Sequence, residues 1–323
     1  MTLPEKLGRR LRLPLIAAPM LRVSEPDLVI AACRSGVIGA FPTANARSIE
    51  ELDSWLLRIT QQLADSNLSF APWCPNLIIK RSADTLRQEI ACLVKYGVEI
   101  VITSVGSPAS VVAPLHDAGC LVFADVASLR HAEKAIDAGA DGLILLTAGA
   151  GGQTGWANGF AFVRAVRRMF DGPLVLAGGV ADGEALWAAQ ALGCDLAYMG
   201  TKFIATSESL ASDRYKQMLI ESEFDDVMLT RAFTGLDTSM LRTSIVAAGL
   251  DPLTLGETLT PEQARTLFGP TAEGPQRWQD IWSAGHSVSG VTATTTVGQL
   301  VTQTQQQYGV AIQRSLNLAK HWA

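Results

Sequence analysis

The sequence predicts an α/β fold, an eight-fold (β/α) barrel with a C-terminal helical extension or small helical domain. Three observations carry that prediction. Eight short apolar runs rich in branched residues recur along the first two thirds of the 323-residue chain. A helical pattern with its own start and stop residues follows each run, and glycines crowd the ends of the last three. Near-continuous apolar strands suit a parallel sheet covered on both faces, and eight successive β/α units close such a sheet into a TIM barrel.

The runs are PLIAAPM (14–20), VIGAFP (37–42), SFAPWCPNLII (69–79), EIVITSVG (99–106), CLVFADVA (120–127), DGLILLTAG (141–149), PLVLAGGV (173–180) and LAYMGTKF (196–203). Between the first two, SEPDLVIAACRSG offers Ser24 as an N-cap, Pro26 in the first turn and Gly36 as the stop. SLRHAEKAIDAGA and DGEALWAAQALG repeat that pattern and close at Gly139 and Gly193. An offset of 54 residues brings Val126 onto Val180, Gly139 onto Gly193 and Asp141 onto Asp195. Either a duplicated βαβ unit or a shared requirement at the helix-to-strand turn accounts for this.

From about residue 224 the β/α rhythm stops. The barrel is therefore assigned to residues 1–223 and a helical extension, packing on the barrel mouth as a lid, to residues 224–323. Within it TPEQARTLF starts as a helix, with Thr260 as cap and Pro261 in first position. The tail from Gln276 reads as helices, its last stretch (291–323) amphipathic and suited to sealing the mouth or forming a homodimer contact. DDVML (225–229) reads as a solvated turn.

Composition narrows the function. With 26 basic and 31 acidic residues the net charge is −5, which argues against a nucleic-acid partner. The five cysteines form no CxxC pair and fit reduced thiols in a cytoplasmic protein. The apolar run at the N-terminus is too short for a signal peptide, and no uninterrupted 18-residue apolar stretch exists to span a membrane. No His, Cys or carboxylate spacing suggests a metal site.

In such barrels the active site lies at the C-terminal ends of the strands. AGAGGQTG (148–155), AGGV (177–180) and MGTKF (199–203) each bare backbone N–H groups there. Three glycine-rich ends in succession point to phosphate binding, joined by the N-terminus of a helix expected near Thr206 and Ser207. Phosphate alone does not choose among flavins, nucleotides and sugar phosphates.

Strand 1 ending in AAPM, Asn76 ending the third run, AGAGGQTGW, LAGGVADG with DLAYMGTKFIAT, and WSAGH near the C-terminus together resemble the nitronate monooxygenase family. These are FMN-dependent barrels with a helical extension, and the resemblance covers nearly the whole chain in order. It implies that the backbone at Ala18, Pro19 and Met20, with the Asn76 side chain, holds the flavin ring. It places Ser104 in the site wall and Gly152, Gly178, Gly179, Gly200 and Thr201 on the ribityl phosphate. It further implies a small organic substrate, FMN reoxidised by O2 or a quinone, and a nitronate converted to a carbonyl compound and nitrite.

One position departs from the family pattern. Members that oxidise nitronates carry His in the loop after the sixth strand, where this chain has Gln153. An imidazole takes a proton near neutral pH; an amide only donates and accepts hydrogen bonds. Nitronates are already anions and require no base, whereas neutral nitroalkanes do. Other candidates for the chemistry are His286, in WSAGH, and Asp125 at the end of the fifth run. Asp125 is a base, a ribityl contact or a salt-bridge partner. Lys202 either helps the phosphate or points into the helix layer, and Trp156 either walls the substrate or packs beneath its loop. Alternative activities are an FMN-dependent NAD(P)H reductase of the same family, a flavin-free phosphate-binding lyase or isomerase, and a non-catalytic flavin-binding protein.

Overall fold

In a computed structural model, which describes residues 3–64 and 69–322, the strands in chain order are β1 (Leu15–Ala17), β2 (Ile38–Pro42), β3 (Trp73–Ile78), β4 (Ile100–Ser104), β5 (Leu121–Val126), β6 (Gly142–Leu146), β7 (Gly152–Gln153), β8 (Leu174–Ala177), β9 (Leu196–Met199), β10 (Val227–Thr230) and β11 (Thr238–Leu241). Eight of them close into a parallel barrel in the order β1-β2-β3-β4-β5-β6-β8-β9, with β9 pairing back onto β1. Each of the eight apolar runs supplies one barrel strand, as the periodicity predicts.

Alternation along these strands sorts the core into two shells. Ile16, Ala40, Cys74, Ile102, Phe123, Ile144, Val175 and Tyr198 point inward and pack as one interior cluster, joined by Leu3 and Leu7 from the N-terminal segment. The intervening residues, such as Val101, Val122, Leu143 and Leu174, face the surrounding helices. Full burial of each large aliphatic side chain contributes about 1.5–3 kcal/mol, so the two shells together fix the register of the barrel.

The repeat at an offset of 54 is explained by the helix-to-strand corner. Oδ2 of Asp141 accepts from the Val122 N–H at 2.7 Å, and Oδ2 of Asp195 accepts from the Leu174 N–H at 3.1 Å. Each aspartate ties the start of its strand to the strand before it, a local requirement that recurs.

The chain beyond residue 224 departs from the helical expectation. DDVML is not a turn: Val227 opens β10, which pairs antiparallel with β11, and β11 continues onto β7. A strand of two residues in the loop after β6 is thereby held by a hairpin some 80 residues later in the chain. The helix Pro261–Phe268 forms where Thr260 and Pro261 place it, with a reciprocal capping box between Thr260 and Gln263. From Gln276 the chain is largely irregular, with one 3-10 turn (His286–Gly290), until the helix Val297–Trp322.

That last helix runs along the barrel's flank, against the helices Gly183–Leu192 and Pro26–Arg34, instead of sealing the mouth. Trp187 Nε1 donates to Ser315 Oγ at 2.7 Å, and Arg314 pairs with Glu184 at 2.9 Å. The contact is closest at Gly183, where a Cβ would lie 2.1 Å from the Tyr308 nitrogen and 2.3 Å from the Thr304 carbonyl oxygen. Helix propensity alone favours Ala over Gly by about 1 kcal/mol. Packing decides the other way, and Gly183→Ala is expected to cost about 1–3 kcal/mol. A fall in the urea midpoint checks this; a rise would show that the helix is not seated on Gly183.

Candidate active site

The first strand end is braced from behind. Ser24 is not the cap of the following helix, which opens at Pro26 after Glu25. Its buried hydroxyl instead accepts from the Met20 N–H at 3.0 Å and donates to the Ala18 carbonyl at 3.2 Å. Asn45 completes the brace, its Nδ2 donating to the Met20 and Ser24 carbonyls at 3.0 and 2.8 Å. The AAPM backbone is therefore held in one shape by two side chains. Sequence reasoning misread Ser24, since the same residue type serves a cap and a loop brace, and missed Asn45.

At the third and fourth strand ends Asn76 and Ser104 meet. Ser104 Oγ donates to Asn76 Oδ1 at 3.1 Å, which turns the amide so that Nδ2 is the free end. That Nδ2 is sealed from solvent and has no partner among the described residues. A buried donor left unpaired costs about 1–3 kcal/mol, so this amide is built to meet an acceptor. Val105, directly after Ser104, sits at φ +54°, a conformation costly for a β-branched residue and of a kind that collects at functional sites.

Asp125 is next to last in β5 and on the inward parity, one residue past the Thr103–Ala124 pair of the β4–β5 register and so alongside the Ser104 end of β4. Its Oδ1 is sealed and unpaired, yet the residue is only half-buried. No cation pairs with it among the described residues, which removes the salt-bridge reading. Burial pushes its carboxyl up to about 7. Tyr198, two residues before Gly200 on β9, also points inward with its hydroxyl sealed and unpaired. Burial raises its phenol well above the ordinary value, and Asp125 and Cys74 lie near enough to add to that rise. Sequence reasoning passed over Tyr198 as part of a strand, although the two-residue period ahead of Gly200 marks it as facing the interior.

The loop after β6 is clamped on both sides. Gln153 pairs with Thr238 and Gly152 with Ser239, and the Thr154 N–H donates to the Asp237 carbonyl at 3.1 Å. Gly285 lies against Gly149 and Gly151, backbone on backbone, and the His286 N–H donates to the Gly149 carbonyl at 2.9 Å. The His286 ring packs over Gly149 and tilts against Phe224 with centroids 4.4 Å apart. Burial lowers its pKa, which keeps it neutral. Trp156 is 76% exposed, so it does not pack beneath the loop.

The last two strand ends form a bare shelf. Gly179 has φ +75°, and a Cβ there would meet nothing within 4 Å. Its backbone faces open space. A short helix, Thr201–Ile204, opens directly from Gly200, earlier than the expected Thr206–Ser207, which instead join Thr295. Thr201 Oγ1 accepts from the Gly285 N–H at 3.0 Å. The Lys202 ammonium is bonded to the Gly290 carbonyl and so ties the covering segment to the barrel. Cys74 is buried and its thiol pushed well up, leaving it unreactive. No group of three metal-ligating side chains occurs among the described residues, and no described helix is long and apolar enough to cross a membrane.

The strand C-termini of this closed βα barrel thus bring an unpaired amide, a sealed carboxyl and a glycine shelf under one clamped loop, the end at which barrels of this class carry their sites. The chain belongs to the nitronate monooxygenase family, whose model matches residues 9–307. It is 29% identical over 233 residues to a (3aS,4S,5R,7aS)-5-hydroxy-7a-methyl-1-oxo-octahydro-1H-indene-4-carboxyl-CoA dehydrogenase of Rhodococcus jostii, a match covering 72% of this chain and 64% of that one. The chain thus spans just under two thirds of that relative's length. It is 27% identical over 283 residues to a nitronate monooxygenase of Paraburkholderia phytofirmans, covering 74% of this chain and 76% of the other. In fold it is similar to a nitroalkane oxidase of Streptomyces ansochromogenes, with a TM-score of 0.80, 24% identity, and 96% and 99% of the two chains covered.

Proposed function

We propose that the chain is an FMN-dependent oxidoreductase that oxidises a small nitronate with O2 as acceptor. The observation that carries this reading is the free Nδ2 of Asn76, sealed inside a mouth whose far wall is the open Gly179 shelf. A donor at one end and bare, uncrowded backbone at the other suit a flat polar ring with a phosphate tail. When bound, FMN supplies the two-electron oxidation and passes the electrons to O2. The braced Ala18–Met20 backbone and Asn76 would hold the ring, with Ser104 fixing the amide. Gly152, Gly178, Gly179, Gly200 and Thr201 would hold the phosphate. Gln153 would orient the substrate by donating to its anionic oxygens, a task that the β7–β11 pairing makes rigid.

A second reading is favoured by Gln153 standing in place of an imidazole together with the Rhodococcus relative. In it the site dehydrogenates a carboxyl-CoA thioester. One experiment separates the readings. The protein is loaded with FMN and mixed anaerobically with ethyl nitronate, NADH or a hydroxyacyl-CoA, and bleaching of the flavin absorbance is followed. Fast bleaching by nitronate alone supports the first reading. Bleaching by NADH indicates a reductase, by the thioester a dehydrogenase, and failure to retain FMN overturns both. In the nitronate assay Gln153→Ala is expected to raise KM about tenfold, the worth of one charge-assisted hydrogen bond, with the larger part of the change in KM and not in kcat.

A further inference from the structure

We propose that Asp125 is the proton acceptor that extends this site to neutral carbon acids, nitroalkanes in particular, with Tyr198 beneath it as the positioning residue that sets when it ionises. The inference rests on the oxidoreductase reading and deepens it. The loop after β6 offers Gln153 to the mouth, and an amide cannot carry a proton. The His286 ring is occupied by packing, tilted against Phe224 and lying over Gly149. Asp125 is different in kind. It stands on the inward parity at the mouth, one carboxyl oxygen sealed and unpaired while the residue remains partly open. Among the described residues no cation pairs with it to hold it ionised.

Three unpaired polar atoms converge in this upper layer of the barrel: Asn76 Nδ2, Asp125 Oδ1 and the Tyr198 hydroxyl. The titratable groups turned toward Asp125 are Tyr198 from β9 and Cys74 from β3, both neutral at pH 7 because burial raises each of them. The neighbours in register, Ser104 on β4 and Ile144 on β6, carry no charge. The acid is therefore governed by its own burial, which places its ionisation in the range where a general base is effective. The unpaired Tyr198 hydroxyl, near enough for Asp125 to act on it, can donate to the carboxylate once it is charged.

The step balances simply. The α-C–H proton of a nitroalkane passes to the open carboxylate oxygen of Asp125. The C–H electron pair stays with the substrate, delocalised into the nitro group, and gives the nitronate that the site already oxidises. The proton then leaves through the mouth to solvent.

The test compares wild type, Asp125→Asn and Tyr198→Phe, each loaded with FMN. Nitroethane, freshly dissolved and neutral, is assayed beside its nitronate across pH 5–9, and the carboxyl 13C resonances of the aspartate-labelled chain are titrated without flavin. In wild type the nitroethane rate is expected to rise about tenfold per pH unit below about 7 and level above it. Asp125→Asn is expected to lower the nitroethane-to-nitronate rate ratio by about 100-fold or more. Tyr198→Phe is expected to keep the plateau rate but move the midpoint up by about one pH unit, because a hydrogen bond to the charged form is lost. One aspartate resonance should titrate near 7 and vanish in Asp125→Asn. An unchanged ratio in Asp125→Asn, or the absence of any resonance titrating above 6, overturns the proposal. Loss of FMN binding in wild type overturns only the oxidoreductase reading, because the resonance is read in the flavin-free chain.

Discussion

On the proposed FMN reading, replacing Gly179 by Asp is expected to abolish retention of FMN and to leave the barrel folded. Two properties of the position lead to that expectation. The first is room: no atom lies within 4 Å of a Cβ at Gly179, so a side chain meets no neighbour and the fold has no reason to shift. The second is conformation: φ is +75°, where a side chain costs about 1–2 kcal/mol. Asn tolerates that region best among non-glycine residues, and Gly179→Asn matches Asp in size while lacking its charge. The difference between the two variants is thus electrostatic. A carboxylate about 4 Å from a phosphate charge, at the effective dielectric of a protein surface, is opposed by about 4 kcal/mol, which is roughly a thousandfold in Kd. Flavin absorbance relative to protein after desalting, and a fluorescence titration with added FMN, give both numbers. Stoichiometric flavin in Gly179→Asp would move the phosphate away from this shelf. Gly178 makes an instructive contrast, because a Cβ there would lie 2.4 Å from the Thr147 hydroxyl, which itself bonds the Ala177 carbonyl at 2.8 Å. A substitution at Gly178 therefore confounds packing with binding, and Gly179 does not.

Much of this architecture is legible in the sequence because each barrel strand is a local signal. An apolar run between two turns is recognisable from about eight residues, and the strand C-termini then locate Asn76, Ser104, Asp125 and the glycine shelf. What is illegible is pairing at a distance. β7 is a glycine and a glutamine with no apolar alternation of its own, and it is a strand only because β11 lies alongside it. The last helix shows its amphipathic face in sequence, but the surface it seeks is specified by Gly183 and Gln190 on another helix: the Tyr308 hydroxyl bonds Gln190, and the Tyr308 backbone lies against Gly183. Ser24 and Tyr198 fail differently. Their residue types have a commonplace local explanation, as cap and as strand filler, that conceals a tertiary one. In both the overlooked fact was a polar atom in need of a partner.

The stability of the wild type relative to Asp125→Asn is expected to fall as pH rises from about 4 to about 7 and then to level. The sign follows from proton counting. In the folded protein Asp125 ionises at about 7, against 3.8 for its ordinary value. Between those limits the native state holds a proton that the unfolded chain has lost, so raising the pH favours unfolding. Three pKa units correspond to a loss on the order of 4 kcal/mol. That is an upper bound, since one side of the carboxyl is open to the mouth. Asn keeps the shape and never ionises, so subtracting its unfolding free energy cancels every other titrating group. Near pH 4 and below the two proteins should be nearly equal, and at pH 8 Asp125→Asn should be the more stable, as read from urea unfolding in the flavin-free chain. A difference that does not vary with pH would mean that water reaches the charged oxygen and that the carboxyl ionises like an exposed one. The direction also exposes a trade-off at this site. Above pH 7 the charged carboxylate that can take a proton is the form that destabilises the barrel, so the same burial that tunes Asp125 as a base makes its active form the less stable one.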